Sequence, residues 1–271
     1  MTRLFAALAA LAFASSSALA ADLPPPMSPV YKAPPPPAPT WTGCDLNAGG
    51  GYGLWNVDHT FTSGPVTTPT LTDGGRGWLG RFGGGCDLQI PGYFNGRIVI
   101  GAFGEYDVMS LTGNNSPGEL ISVGGLTSPI SANLREQNAF YAGARIGYLV
   151  SPTFLTYFDG GFTGTRFSQS SEFLTATGAT INEAFPSFND TGWFLGGGTE
   201  YALNFDWLPI QIPGLFLRTE YRFAQYQARN LAEVFAGALD GNIERSTPYV
   251  QTVTTSLVWR FNFNGPVVMP H

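Results

Sequence analysis

From Trp41 onward, apolar and polar residues alternate with a period of two in eight segments, at about 44–55, 76–89, 96–110, 135–150, 154–167, 192–203, 215–226 and 249–263. In the first, Leu46, Ala48, Tyr52 and Leu54 share one face and Asp45 and Asn47 the other. The seventh sets Leu215, Leu217, Tyr221 and Phe223 against Arg218, Glu220 and Arg222; the eighth sets Val253, Leu257, Trp259 and Phe261 against Thr252, Thr254, Ser256 and Arg260. The fourth sets Phe140, Ile146 and Tyr148 against Arg135, Gln137 and Arg145, and the fifth leaves its facing open because Phe154 to Phe158 is apolar on both sides. A period of two is the mark of pleated strands between two different environments.

The connections alternate in length. About 20 to 24 residues separate segments 1–2, 3–4, 5–6 and 7–8, and only about 6, 3 and 11 separate 2–3, 4–5 and 6–7. Four long loops at one end and three short turns at the other fit an all-β fold, an eight-stranded antiparallel transmembrane β-barrel with long outer loops and short periplasmic turns.

A soluble barrel with inverted faces would show the same alternation, and composition separates the two. Charged residues make up 12% of the 271, about half the usual share for a domain bathed in water, while 14% are aromatic and 35 are Gly. No later segment carries the 18 apolar residues that a membrane helix requires. The tryptophans gather near segment ends: Trp55, Trp78 and Trp193 at the loop end, Trp41, Trp207 and Trp259 at the turn end. Tyr148, Tyr157 and Tyr201 join the turn-end group, and Tyr226 and Tyr249 the loop-end group. Two aromatic girdles at headgroup level are expected of a barrel in lipid.

The polar faces then line the lumen. They carry Arg81, Arg97, Glu105, Asp107, Arg145, Glu200, Arg218, Glu220, Arg222 and Arg260. Eight strands enclose a space that side chains just fill, and unpaired charges there are costly, so a salt-bridged plug is expected. The alternative is a narrow Arg-lined path, for which six arginines against four acids predict a mild anion preference.

Segments 1 and 2 fold back around a loop centred near residue 65, which brings Cys44 opposite Cys86 on the same face, and a cross-strand disulfide is expected. Residues 1–20 read as a secretory signal, with Arg3, an apolar run from Leu4 to Phe13 and Ala18-Leu19-Ala20, so the thiols meet an oxidising compartment. Residues 21–40 form a Pro-rich periplasmic linker, 41–263 the barrel and 264–271 a short tail.

The chain resembles the outer-membrane immunogenic protein family of alphaproteobacteria, porin-like eight-stranded barrels of the OmpA type. The resemblance rests on Ala20-Ala21-Asp22-Leu23-Pro24, Trp41-Thr42-Gly43, the run Thr191 to Leu203 through Gly196-Gly197-Gly198-Thr199-Glu200-Tyr201, and Arg218-Thr219-Glu220-Tyr221-Arg222-Phe223. It implies an outer-membrane protein of the porin or surface-antigen kind. Cys44 departs from the pattern, as does the tail after Phe263, which moves any assembly signal away from the C-terminus.

Three classes of function follow. Envelope structure with surface presentation is the leading reading, and a narrow porin the second. A rim enzyme would want His with Ser and Asp, and His59 beside Asp58 in the first loop reads instead as a solvated histidine. The glycine triplets are not followed by helices and two cysteines do not make a metal centre, so no cofactor or metal is expected. Acids in the long connections, Asp58, Asp73, Glu172, Asp190, Glu233 and Glu244 among them, predict an acidic outer surface and argue against nucleic acid. The expected partners are outer-membrane lipid and lipopolysaccharide, the outer-membrane assembly machinery, and a host or surface partner at the loops.

Overall fold

Strands in hydrocarbon must pair every backbone polar group sideways, which only a closed ring achieves. The computed structural model, which describes residues 40–92, 94–116, 120–123, 126–169, 172–181, 183–184, 186–203 and 214–262, shows that closure. Its strands are β1 (Gly43–Ser63), β2 (Val66–Thr67), β3 (Leu71–Ile90), β4 (Ile98–Asn115), β5 (Leu120–Val123), β6 (Leu126–Ser151) and β7 (Phe154–Gln169), followed by β8 (Phe173–Leu174), β9 (Glu183–Ala184), β10 (Phe188–Ala202), β11 (Leu215–Tyr226), β12 (Arg229–Phe235) and β13 (Ala238–Phe261). Eight of them, β1, β3, β4, β6, β7, β10, β11 and β13, pair antiparallel in that order, and β1 pairs again with β13 from Cys44↔Phe261 to Thr62↔Ile243. At this seam a β-carbon on Gly49 would run into the Thr255 carbonyl oxygen, and one on Gly51 into that of Val253. Glycine there lets the first and last strands meet. The expected leader, most of the Pro-rich segment, Trp207 and the tail lie outside the described residues.

The eight strands lie where alternation places them, but they run further at the loop end. Along β1, Leu46, Tyr52 and Leu54 face out and Asp45 and Asn47 face in. Beyond Leu54 the alternation continues with its sense reversed: Trp55, Val57 and Phe61 face in, and Asn56, Asp58 and Thr60 face out. Apolar-out suits a wall in hydrocarbon, and apolar-in suits a wall in water. The reversal therefore marks the edge of the apolar band and not the end of the strand. The first expected long connection shrinks to residues 64–70, β5 folds back on β6, and β12 makes a tight hairpin with β13 across Ala236 and Gly237, both at positive φ. The other end has turns as short as residues 152–153.

The interior is layered. At the turn end Trp41, Val99, Leu149, Leu155, Phe216 and Val258 belong to one apolar cluster. At the loop end Trp55, Leu79, Phe103, Met109, Leu111, Tyr141, Phe167 and Phe194 belong to a larger one. The charged side chains lie between.

Candidate functional site: the lumen charge network

Each of the eight strands presents inward residues at alternate positions, so charges far apart in sequence converge on one cross-section. Nine of the ten expected lumen residues are found there: Arg81, Glu105, Asp107, Arg145, Glu200, Arg218, Glu220, Arg222 and Arg260, all buried. Arg97 is not. It sits in the turn before β4, exposed, with Nη1 donating to the Tyr148 hydroxyl at 3.3 Å, because a turn residue is free of the strand's alternation.

Three carboxylates join the set. Asp45 and Asp87 share parity with Asn47 and Arg81, so alternation already placed them inward; Asp159 comes from β7, whose facing the sequence left open. The tally of five arginines and seven carboxylates reverses the sign expected from the sequence, which counted Arg97 in and these acids out.

The network has two tiers. Nearer the turn end, Arg145 forks onto Asp87 at 2.7 and 2.6 Å and reaches Asp45 at 2.9 Å. Arg260 donates to Asp87 at 2.6 Å, to Glu200 at 2.8 Å and to the Trp41 carbonyl at 3.0 Å. Above it, Arg81 forks onto Asp107 with two bonds of 2.7 Å and reaches Glu220 at 2.6 Å. Arg222 donates to Glu105 at 2.6 Å and to Asp159 at 3.0 Å, and the Tyr157 hydroxyl donates to Glu220 at 2.7 Å. Arg218 ties the tiers together, donating to Glu200 at 3.0 Å and to Asp45 and Glu105 at 3.3 Å. Forked guanidinium–carboxylate pairs fix geometry as well as charge.

The apolar layers clamp this set from both ends. The Arg222 guanidinium lies 4.8, 5.0 and 5.1 Å from the ring centres of Phe103, Tyr141 and Phe194, and that of Arg260 lies 5.3 Å from Trp41 and 5.4 Å from Phe216. Such cation–π contacts strengthen when water is excluded. None of the twelve network residues is more than 5% exposed, so bulk water does not bathe them.

The aromatic residues divide between wall and interior. Trp78, Trp193 and Trp259 face outward, with Tyr148 and Tyr201. Trp41, Trp55, Tyr157 and Tyr226, expected in the girdles, are buried inside instead. Trp55, Tyr157 and Tyr226 have the parity of their strands' inward faces, while Trp41 precedes β1 and tucks under the turn end, its indole donating to the Pro152 carbonyl at 3.0 Å.

Cys44 and Cys86 face each other in register and form a disulfide on the outward face, near the turn end. His59 is buried on β1, not solvated: Nε2 lies 3.2 Å from Asp73 Oδ2, and Nδ1 lies 3.4 Å from Glu244 Oε1. The expected acidic surface is found only in part: Asp58 faces out, and Glu119 lies outside the described residues. Glu172, Asp190, Glu233 and Glu244 are buried; the extended β10, β12 and β13 turn the last three inward. Arg135 faces out and Glu136 in, where irregular registers between Val108 and Leu111, and between Glu136 and Asn138, shift the phase of β6. Among the described residues, no group of three His, Cys, Asp or Glu is placed to hold a metal ion.

The family profile described as outer membrane protein beta-barrel domain matches residues 6–261. The 31 kDa outer-membrane immunogenic proteins of Brucella melitensis and Brucella suis are each 27% identical over 248 residues, 91% of this chain and 95% of theirs. Among solved structures, the outer membrane protein OprG from Pseudomonas aeruginosa matches over 81% of this chain and 98% of its own, with 10% identity and a TM-score of 0.47. With the profile spanning the barrel from end to end, the chain belongs to the outer membrane protein β-barrel family, and its apolar band is the part that sits in the outer membrane of a Gram-negative cell.

Proposed function

We propose that the chain is an envelope scaffold that closes its own lumen and presents its elaborated end at the cell surface. The observation that carries this reading is the layered interior, a buried charge network held between two apolar clusters. Charges arranged to pair with one another hold strands in register; charges arranged to conduct would face water.

A narrow porin is the second reading. Its arginines are all engaged by carboxylates, so a path along them would carry the sign of seven acids against five bases and favour cations. The catalytic reading is weaker: His59 is buried in the wall with carboxylates beside its ring, where a substrate at the rim does not reach it. The Brucella relatives are named immunogenic proteins, and surface-exposed hairpins suit that property here. On this reading the partners are the lipid around the apolar band, the machinery that assembles outer-membrane barrels, and surfaces that meet the hairpins.

Outer-membrane barrels keep short turns in the periplasm and longer connections outside. An epitope tag inserted after Gly64, in the exposed turn following β1, is expected to stain on intact cells. The same tag after Gly92, in the exposed turn following β3, should stain only once the outer membrane is permeabilised. The reverse pattern would overturn surface presentation by this end.

A further inference from the structure

Among the described residues six arginines lie outside the lumen; Arg97 is at the turn end, Arg229 and Arg245 are on β12 and β13, and the other three stand together. Arg76 on β3, Arg135 on β6 and Arg166 on β7 are all exposed and lie at the loop end of neighbouring strands. Arg76 pairs in register with Thr112, Thr112 with Arg135, and Arg135 with Ser168, a single row across four strands; Arg166 is two positions from Ser168. Strands lie about 4.8 Å apart, so Arg76 and Arg135 stand roughly 10 Å from each other at the backbone. Below the row on the same face come Trp78, Phe140 and Phe162, all exposed, which belong to the apolar band.

These three guanidiniums differ in their bonding from those of the lumen, as Arg97 and Arg245 do. Every lumen arginine pairs with carboxylates, and Arg229 pairs with Asp190 at 2.7 Å. Among the described residues, Arg76, Arg135 and Arg166 have no ion pair, and no Asp or Glu shares the outward face of β3, β4, β6 and β7 with them. Alternation turns Asp73, Glu105, Asp107, Glu136 and Asp159 to the other side. Among the described residues of these four strands the result is a basic row without counter-charge, set on an apolar wall at the level where hydrocarbon ends.

The geometry points to a docking surface for a phosphorylated glycolipid of the outer leaflet, its phosphates on Arg76, Arg135 and Arg166 and its acyl chains against Trp78, Phe140 and Phe162. A free anion would have no use for the apolar wall, and an acidic protein would not reach a row this close to the membrane. Guanidinium forks suit phosphate oxygens, and the long stems let the heads reach headgroup level. The leaflet rests on the orientation proposed above, whereas phosphate recognition does not, so the two fail separately.

The test is equilibrium binding of lipid A bearing both phosphates to the full-length barrel in neutral-lipid nanodiscs. The Arg76→Gln/Arg135→Gln/Arg166→Gln variant is expected to bind on the order of a hundredfold more weakly, about fivefold for each charge removed near a membrane surface. Arg97→Gln, at the opposite rim, should bind like the wild type. Wild-type protein should discriminate against the same lipid with its phosphates removed and against phosphatidylglycerol, and inorganic phosphate should not compete. Folding of each variant is read from heat-modifiable gel migration; if the triple variant does not fold, the dephosphorylated lipid on wild-type protein decides. Equal binding by the triple variant, by the dephosphorylated lipid or by phosphatidylglycerol would overturn the assignment.

Discussion

Replacing Arg81 by methionine should cost the barrel about 3–5 kcal/mol, the usual penalty for leaving a buried charge without its partner. Asp107 is fully buried, and among the described residues Arg81 is the cation within ion-pair distance of it, through two bonds of 2.7 Å. Methionine keeps most of the stem's packing and removes only the guanidinium. Glu220 keeps Arg222 at 2.7 Å and the Tyr157 hydroxyl at 2.7 Å, so the orphan is Asp107. The double variant Arg81→Met/Asp107→Leu should recover most of the loss, since a buried ion pair exchanged for apolar groups of similar volume is often neutral or favourable. Arg218→Met should cost less than Arg81→Met. Its three carboxylates each retain another arginine: Glu200 keeps Arg260, Asp45 keeps Arg145, and Glu105 keeps Arg222. Urea titration in detergent micelles, followed by gel migration and tryptophan emission, measures all three. A loss below about 1 kcal/mol for Arg81→Met would mean that water reaches Asp107 after all.

The second large effect is expected at Trp55. Its side chain is fully buried in the loop-end apolar layer, its indole donates to the Leu111 carbonyl at 2.9 Å, and its ring meets Phe167 edge-on at 6.1 Å. Truncation to alanine removes that bond and leaves a hole the size of an indole, for a loss of about 3–5 kcal/mol. Trp55→Phe restores most of the volume but not the donor, and should cost about 1–2 kcal/mol. Trp78→Ala provides the contrast: Trp78 is 74% exposed on the outer wall, where lipid or detergent fills the space it leaves, so no cavity opens and the loss should stay well below that of Trp55→Ala. Equal losses at Trp55 and Trp78 would contradict the placement of Trp55 inside.

Much of this was legible in a period of two. Alternation placed Asp107, Glu200, Arg218 and Arg222 in the lumen, and counting around the first loop set Cys44 opposite Cys86, as the register has them. What escaped has three physical causes. Distance along the strand places an aromatic residue near a membrane edge but does not set its facing, and parity puts Trp55 opposite in facing to Leu54. The outward apolar face ends where the membrane ends, short of the strand itself; Val57, His59 and Phe61 continue β1 with the apolar side inward. Irregular register is invisible to a fixed period, which puts Arg135 inside and Glu136 outside.

The central claim, that the barrel seals itself, is tested most directly by planar-bilayer recording of the refolded wild-type protein, with folding shown by heat-modifiable migration. The layered interior predicts a silent bilayer, and silence again for Trp55→Ala, in which the charge network and the Trp41 layer still close the cross-section. Reproducible unitary steps from folded wild-type protein, with an ion selectivity that changes in Arg218→Met, would contradict it and make the narrow porin the correct reading.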